Sequence, residues 1–205
     1  MISDNSNLDL LREKIKSYMS EHRFTHTLGV EKAAEQIASA VLPERVYEAR
    51  VAALLHDIAK ELPPERQIEL AISCAVPSEY KSLGTPAAIH SYAAGALIQE
   101  DFPEFDDQVI INAVSFHTLG APFMSLLDKI IFIADYIEEG RKYQSCKTVR
   151  DYLLPKLSKD NPSVIQAIDQ AVVMAIDFTE ESLTRQGKKT DPLSVLTRNA
   201  ILAQK

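Results

Sequence analysis

An apolar run, Ala52-Ala53-Leu54-Leu55, ends in His56-Asp57, and Lys60 follows the aspartate by one helical turn. Unpaired polar groups in an apolar setting cost roughly 2–7 kcal/mol on transfer scales, so this imidazole and carboxylate need compensation. A bound cation would compensate both. The same oddity recurs at His26, which leads into Ala33, Ala34, Ile37 and Val41, and at Asp135, set beside Ile131, Phe132, Ile133 and Ala134. His26, His56, Asp57 and Asp135 are therefore the candidate metal ligands. Imidazole and carboxylate without thiolate suit iron, manganese, cobalt or zinc. A divalent metal with open positions polarises phosphoryl oxygen and acidifies the water it holds, which is the chemistry of phosphoester and phosphoanhydride hydrolysis.

His90 and His117 extend the set. They could complete a second metal site with Asp57 as the bridge. Alternatively they stay free of metal, contact phosphate or protonate the leaving group, and this second reading is preferred. On it Asp57, Lys60, His90 and His117 are the catalytic residues: Asp57 orients the water, and the others neutralise developing charge. His22 lies at i, i+4 to His26 and could share its face, but reads as peripheral. Asp128 could orient a ligand or could pair with a lysine.

These side chains need helices to hold them, and the spacing predicts an all-α chain. Leu8, Leu11, Ile15 and Tyr18 mark a first amphipathic helix. A second carries His26. A third opens at Pro43 and ends near His56 and Asp57. Pro63-Pro64 separates it from a short helix with Ile68, Leu70 and Ile72, and a loop over Val76 to Thr85 holds Lys81. Further helices are expected from Pro86 through His90 to Ile98, from an Asp106 cap to His117, and from Phe123 to Glu139. Asn161-Pro162 should cap another, with Gly187 as its stop, and Asp191-Pro192 should start the last. No strand pattern and no internal repeat interrupts this reading.

With 205 residues the expectation is one domain over 1–205, its C-terminal helices from about 162 packed on the core. Glycine is scarce, at 6, which favours helix. The net charge of −7 and the lack of any basic run argue against a nucleic-acid partner. The most apolar stretch, Leu126 to Ile137, contains Asp128, Lys129 and Asp135, so no membrane span is expected. Cys74 and Cys146 match no zinc spacing and read as thiols in a reducing compartment. Met1 to Leu11 holds no apolar signal core. A cytoplasmic protein follows, with a homodimer among the states left open.

Five blocks then occur in order: Arg23-Phe24-x-His26-Thr27-Leu28-Gly29-Val30, His56-Asp57-x-Ala59-Lys60, His90-Ser91-Tyr92, His117-Thr118 and Ala134-Asp135-Tyr136-Ile137-Glu138. In these the chain resembles the YqeK family of HD-domain phosphohydrolases, over about Leu8 to Arg185. The resemblance implies an HD-domain helical bundle, an iron-type centre, and symmetrical hydrolysis of diadenosine tetraphosphate to two ADP. His26, His56, Asp57 and Asp135 match the family's ligands. Lys60, His90, His117 and Arg141 fall where nucleotide phosphates would be held, with Arg23, Thr118 and Tyr136 completing the substrate contacts. Tyr136 and Tyr143 could stack on adenine or belong to the core, and Arg23 and Lys142 could be solvated surface. Glu139-Gly140 replaces the proline that usually follows the last block. The alternatives are an HD nucleotidase or deoxynucleoside triphosphate hydrolase, and a nucleotide-binding regulator without catalysis.

Overall fold

The computed structural model describes residues 4–204; residues 1–3 and 205, which the one-domain and N-terminal readings include, lie outside it. Ten α-helices occur among the described residues, and no strand. They are α1 (Asp4–Ile15), α2 (Glu21–Val41), α3 (Val46–Leu55), α4 (Pro64–Ser73), α5 (Pro86–Asp101), α6 (Gln108–Phe116), α7 (Leu126–Ile137), α8 (Gln144–Leu153), α9 (Val164–Arg185) and α10 (Pro192–Ala203). The all-α expectation holds.

α7 is the centre of the bundle, packed against α2, α3, α6, α8 and α9. Its sequence explains the position: Leu127 and Lys129–Ala134 are buried almost continuously, as befits a helix apolar nearly all round. α3 is likewise buried from Ala49 to Leu55, Arg50 excepted, and packs on α2, α6 and α7. α4 pairs with α5, and α5 with α6. α9 lies against α7, α8 and α10. Both cysteines are free and buried. No described helix is long and apolar enough to cross a membrane.

Several helix ends differ from the sequence expectation. α7 starts at Leu126, not Phe123, because Ser125 forms a capping box with Asp128. Phe123 instead packs edge-on against Tyr80 and Phe116 from the preceding loop. At the other end the chain turns extended at Glu138. The cap of α6 is Asp107, which accepts from Val109 N, whereas Asp106 accepts from Gln99. α9 starts two residues beyond Asn161-Pro162, since the Asn161 side chain caps the turn before it. Ile68 and Ile72 face outward and only Leu70 and Ala71 of α4 are buried. Lys81 closes that helix by donating to the Ala71, Ile72 and Cys74 carbonyls. Gly187 does stop α9: its φ is 69°, and Lys188 N bonds back to Leu183 O at 2.9 Å. α8 is an additional helix, with Cys146, Val149 and Leu153 buried on one side.

Candidate metal centre

Two helix ends explain why histidines stand where they do. His56 caps α3 and His117 caps α6. The last turn of a helix leaves carbonyls without partners. His56 Nδ1 donates to the Ala53 carbonyl at 2.7 Å, and His117 Nδ1 to the Val114 carbonyl at 2.6 Å. A carbonyl can only accept, so in each ring the proton sits on Nδ1 and the Nε2 lone pair is left to face inward. His26 comes from α2 and Asp135 from α7, the two helices flanking that point.

Their ligand atoms converge. His26 Nε2 lies 3.0 Å from Asp135 Oδ1, and His56 Nε2 lies 3.9 Å from the same oxygen and 3.5 Å from Asp57 Oδ2. His26, His56 and Asp135 offer one ligand atom each within 4.8 Å of one another, and so do His56, Asp57 and His117. The two groups share His56. His26 Nε2, His56 Nε2 and Asp57 Oδ1 are all buried without a hydrogen-bond partner. Orphaned acceptors rarely persist in one buried place, and a divalent cation would satisfy them together.

The protonation states fit a cation as well. Burial pushes His56 down to about 4, against the pull of Asp57 and Asp135, which keeps the ring neutral at physiological pH. Burial opposes ionisation of Asp57, but His56, His117, His90 and Lys60 outweigh it and hold the carboxyl well below its usual range. Asp135 is also held low, burial being outweighed by His26, Arg141 and His56. His26 is the exception. Burial disfavours its charge, yet Asp135 on one side and Glu138 on the other raise its pKa. A metal at Nε2 would displace that proton, as ligation generally does.

The expected substrate groups ring the same point. Lys60 Nζ is 3.9 Å from Asp57 Oδ1 and 2.8 Å from His90 Nε2. His90 Nε2 is 3.2 Å from both Asp57 Oδ1 and His117 Nε2, with Thr118 Oγ1 at 3.4 Å. Burial lowers both Lys60 and His90, the latter to about 4. Arg23 Nη1 pairs with Asp57 Oδ2 at 2.7 Å. Arg141 pairs with Asp135 Oδ1 at 2.5 Å while its Nε donates to the Asp135 carbonyl. The two arginines are thus held at the rim by the carboxylates themselves. A cavity of about 600 Å³ opens on Arg23, Asp57, Lys60, His117, Thr118, Tyr136 and Arg141. A second, of about 810 Å³, is lined by His26 and shares Arg23, Arg141 and Tyr143 with the first.

Other candidates fall outside this cluster. Asp128 sits at the opposite end of α7, where it belongs to the Ser125 cap; the neighbouring Lys129 pairs with Asp169. Its own partner is thus the helix start, with the Lys129 charge acting on it at longer range. Lys142 is exposed and donates to the Glu139 carbonyl. His22 is exposed on the wall of the second cavity, and Tyr143 is 74% exposed. Tyr136 lines the first cavity, its hydroxyl near Ser145 and Thr179.

Two residues escaped the sequence reading. Glu138 is buried with Oε1 3.2 Å from His26 Nδ1. Arg150, on α8, donates to the carbonyls of Ile137, Glu138 and Arg141 and so clamps the turn that ends α7. Glu138 lay inside a quoted block, but nothing in its immediate neighbours marks its carboxylate as buried.

Comparison with known proteins agrees with this geometry. The HD domain family model matches residues 23–140. The symmetrical bis(5'-nucleosyl)-tetraphosphatase of Bacillus subtilis (strain 168) is 29% identical, covering 92% of this chain and 94% of its own. The probable nicotinate-nucleotide adenylyltransferase/Ap4A hydrolase of Mycoplasma genitalium is 34% identical over 86% of this chain, which spans 47% of that protein. A crystal structure titled as a predicted HD superfamily hydrolase involved in NAD metabolism, from Clostridium acetobutylicum, superposes with a TM-score of 0.79. It is 30% identical and covers 96% of this chain and 97% of its own. With the matched segment spanning every residue of the cluster except Arg141, this chain belongs to the HD-domain family.

Proposed function

We infer that this chain is a metal-dependent phosphohydrolase that splits diadenosine tetraphosphate, and related dinucleoside polyphosphates, symmetrically into two nucleoside diphosphates. The observation that carries the reading is the convergence of buried, unpartnered His26 Nε2, His56 Nε2 and Asp57 Oδ1 beside Asp135. The reaction is that named for relatives aligned over more than nine-tenths of the chain.

We assign His26, His56, Asp57 and Asp135 as the residues that would hold the metal, with iron the preferred ion. When bound, the ion supplies Lewis-acid polarisation of a phosphoryl oxygen and an acidified water. Asp57, fully ionised and 3.2 Å from His90 Nε2, orients the attacking water and accepts its hydrogen bond. Lys60, Arg23 and Arg141 meet the anionic bridge. Charge-assisted bonds of this kind are about twice as strong as neutral ones. His117, with Nδ1 committed to Val114, presents Nε2 to the phosphate region beside His90 and Thr118. Two cavities meeting at Arg23, Arg141 and Tyr143 suit a substrate with a nucleoside on each side of its scissile bridge. The alternative reading, in which His117 joins a second metal beside Asp57 instead of contacting phosphate, is supported by the grouping of His56, Asp57 and His117. The free thiols Cys74 and Cys146 support a cytoplasmic setting.

Product analysis tests the reading. Purified protein loaded with iron or manganese should convert diadenosine tetraphosphate to ADP alone. Release of tripolyphosphate from a deoxynucleoside triphosphate, or AMP with ATP from the dinucleotide, would overturn it.

A further inference from the structure

We propose that Glu138 is the positioning residue for His26, and that Gly29 and Gly140 exist to admit its carboxylate. The proposal deepens the metal-site reading above and rests on it.

Glu138 follows α7 at the point where the helix turns extended, yet its side chain is 5% exposed. Burying a carboxylate is costly unless it is paired and hydrogen-bonded. Two donors meet it. His26 Nδ1 lies 3.2 Å from Oε1, and Gly140 N donates to Oε2. The space it occupies is carved from two glycines. A Cβ at Gly29 would lie 2.6 Å from Glu138 Oε2, and one at Gly140 would lie 2.8 Å from each carboxylate oxygen. Gly29 is on α2, one turn beyond His26, where a glycine costs roughly 1 kcal/mol relative to alanine. That cost has a reason if the missing Cβ lets Glu138 reach the imidazole. Arg150 adds the backbone clamp, holding the carbonyls on both sides of this turn.

The consequence is electronic as well as steric. With Nδ1–H donated to a carboxylate, His26 is held in one tautomer, its Nε2 aimed at Asp135, and its basicity toward a cation is raised. His56 and His117 have backbone carbonyls for the same purpose. His26 stands in the second turn of α2, far from the C-terminal end where carbonyls are left free, so the partner must come from another element. Glu138 supplies it.

The experiment titrates metal-free protein with Mn²⁺ and Co²⁺, following bound ion by calorimetry and the Co²⁺ absorption band. Thermal melting of the metal-free forms monitors the fold. Glu138→Gln keeps the volume but serves only one of the two donors. It should weaken metal affinity about 10–100-fold, as loss of such partners does elsewhere, and alter the Co²⁺ band. Gly29→Ala should weaken affinity by displacing the same carboxylate. The double variant should be no weaker than Glu138→Gln, because both act through one contact. Unchanged affinity in Glu138→Gln, or additive losses in the double variant, would overturn the proposal while leaving the metal site intact. A wild-type chain that binds neither ion would overturn the site reading and this proposal together.

Discussion

Asp128→Asn should stabilise the protein above neutral pH and do nothing below pH 4. Asp128 is buried, with Oδ2 accepting from Ser125 N and Oδ1 unpartnered. Burial raises its pKa from the ordinary 3.8 to about 6, the Ser125 hydrogen bonds and Lys129 only partly opposing. A carboxyl whose pKa is higher folded than unfolded prefers to be protonated in the native state. Its stability contribution is therefore present below about pH 3.8 and lost as pH rises through about 6. The rise from 3.8 to about 6 is worth about 3 kcal/mol at pH 8. Asparagine retains an acceptor for Ser125 N and carries no charge, so most of that cost should disappear. For a chain of this length, about 3 kcal/mol corresponds to an increase in Tm of about 6–12 °C. The assay is thermal melting of wild type and Asp128→Asn between pH 4 and pH 8, with metal-saturated activity measured on both. The melting curves should coincide at pH 4 or below, separate between about pH 4 and 6, and keep a constant gap from there to pH 8, with turnover unchanged. A gap independent of pH would refute the burial argument. A loss of turnover without loss of stability would return Asp128 to the metal centre.

His56→Ala should abolish metal retention and activity together, checked by elemental analysis and ADP formation on the same sample. Lys60→Met should lower kcat/KM for the dinucleotide by about 10–150-fold, the worth of one charge-assisted hydrogen bond of about 1.5–3 kcal/mol, with metal content unchanged; steady-state kinetics measure it. Gly120→Ala should destabilise the chain, since φ is 75° there and a Cβ would lie 2.5 Å from Thr197 Cγ2; denaturant unfolding should show a lower midpoint with the same slope.

How much of the site was legible depended on range. Runs such as Ala52–Leu55 before His56, or Ile131–Ala134 before Asp135, expose a chemical oddity within a few residues, and periodicity showed the helices that carry them. Caps were harder, because adjacent residues compete for one job. Asp106 and Asp107 are equal as sequence, and the choice fell to whichever backbone is extended where the helix starts. Ser125 was hidden because Phe123 and Met124 look like the first turn of α7, while Phe123 is spent on Tyr80 and Phe116. α8 carries Cys146, Val149 and Leu153 at helical spacing, but amid Gln144, Lys147, Arg150 and Asp151 its apolar stripe is narrow.

Glu138 marks the boundary between what local pattern can and cannot reveal. Nothing within the Asp135–Arg141 segment says that its carboxylate is buried. That fact is written more than a hundred residues earlier, in a glycine that makes sense only once α2 lies against α7. The same separation applies to the centre itself. His26 and Asp135 can be singled out one by one from their neighbours, but their 3.0 Å approach is a property of helix packing. Residues at a site of this kind are found locally by what they cost. Their partners are found only where the fold offsets that cost, so a search for missing functional groups should start from glycines whose Cβ would collide with a buried charge.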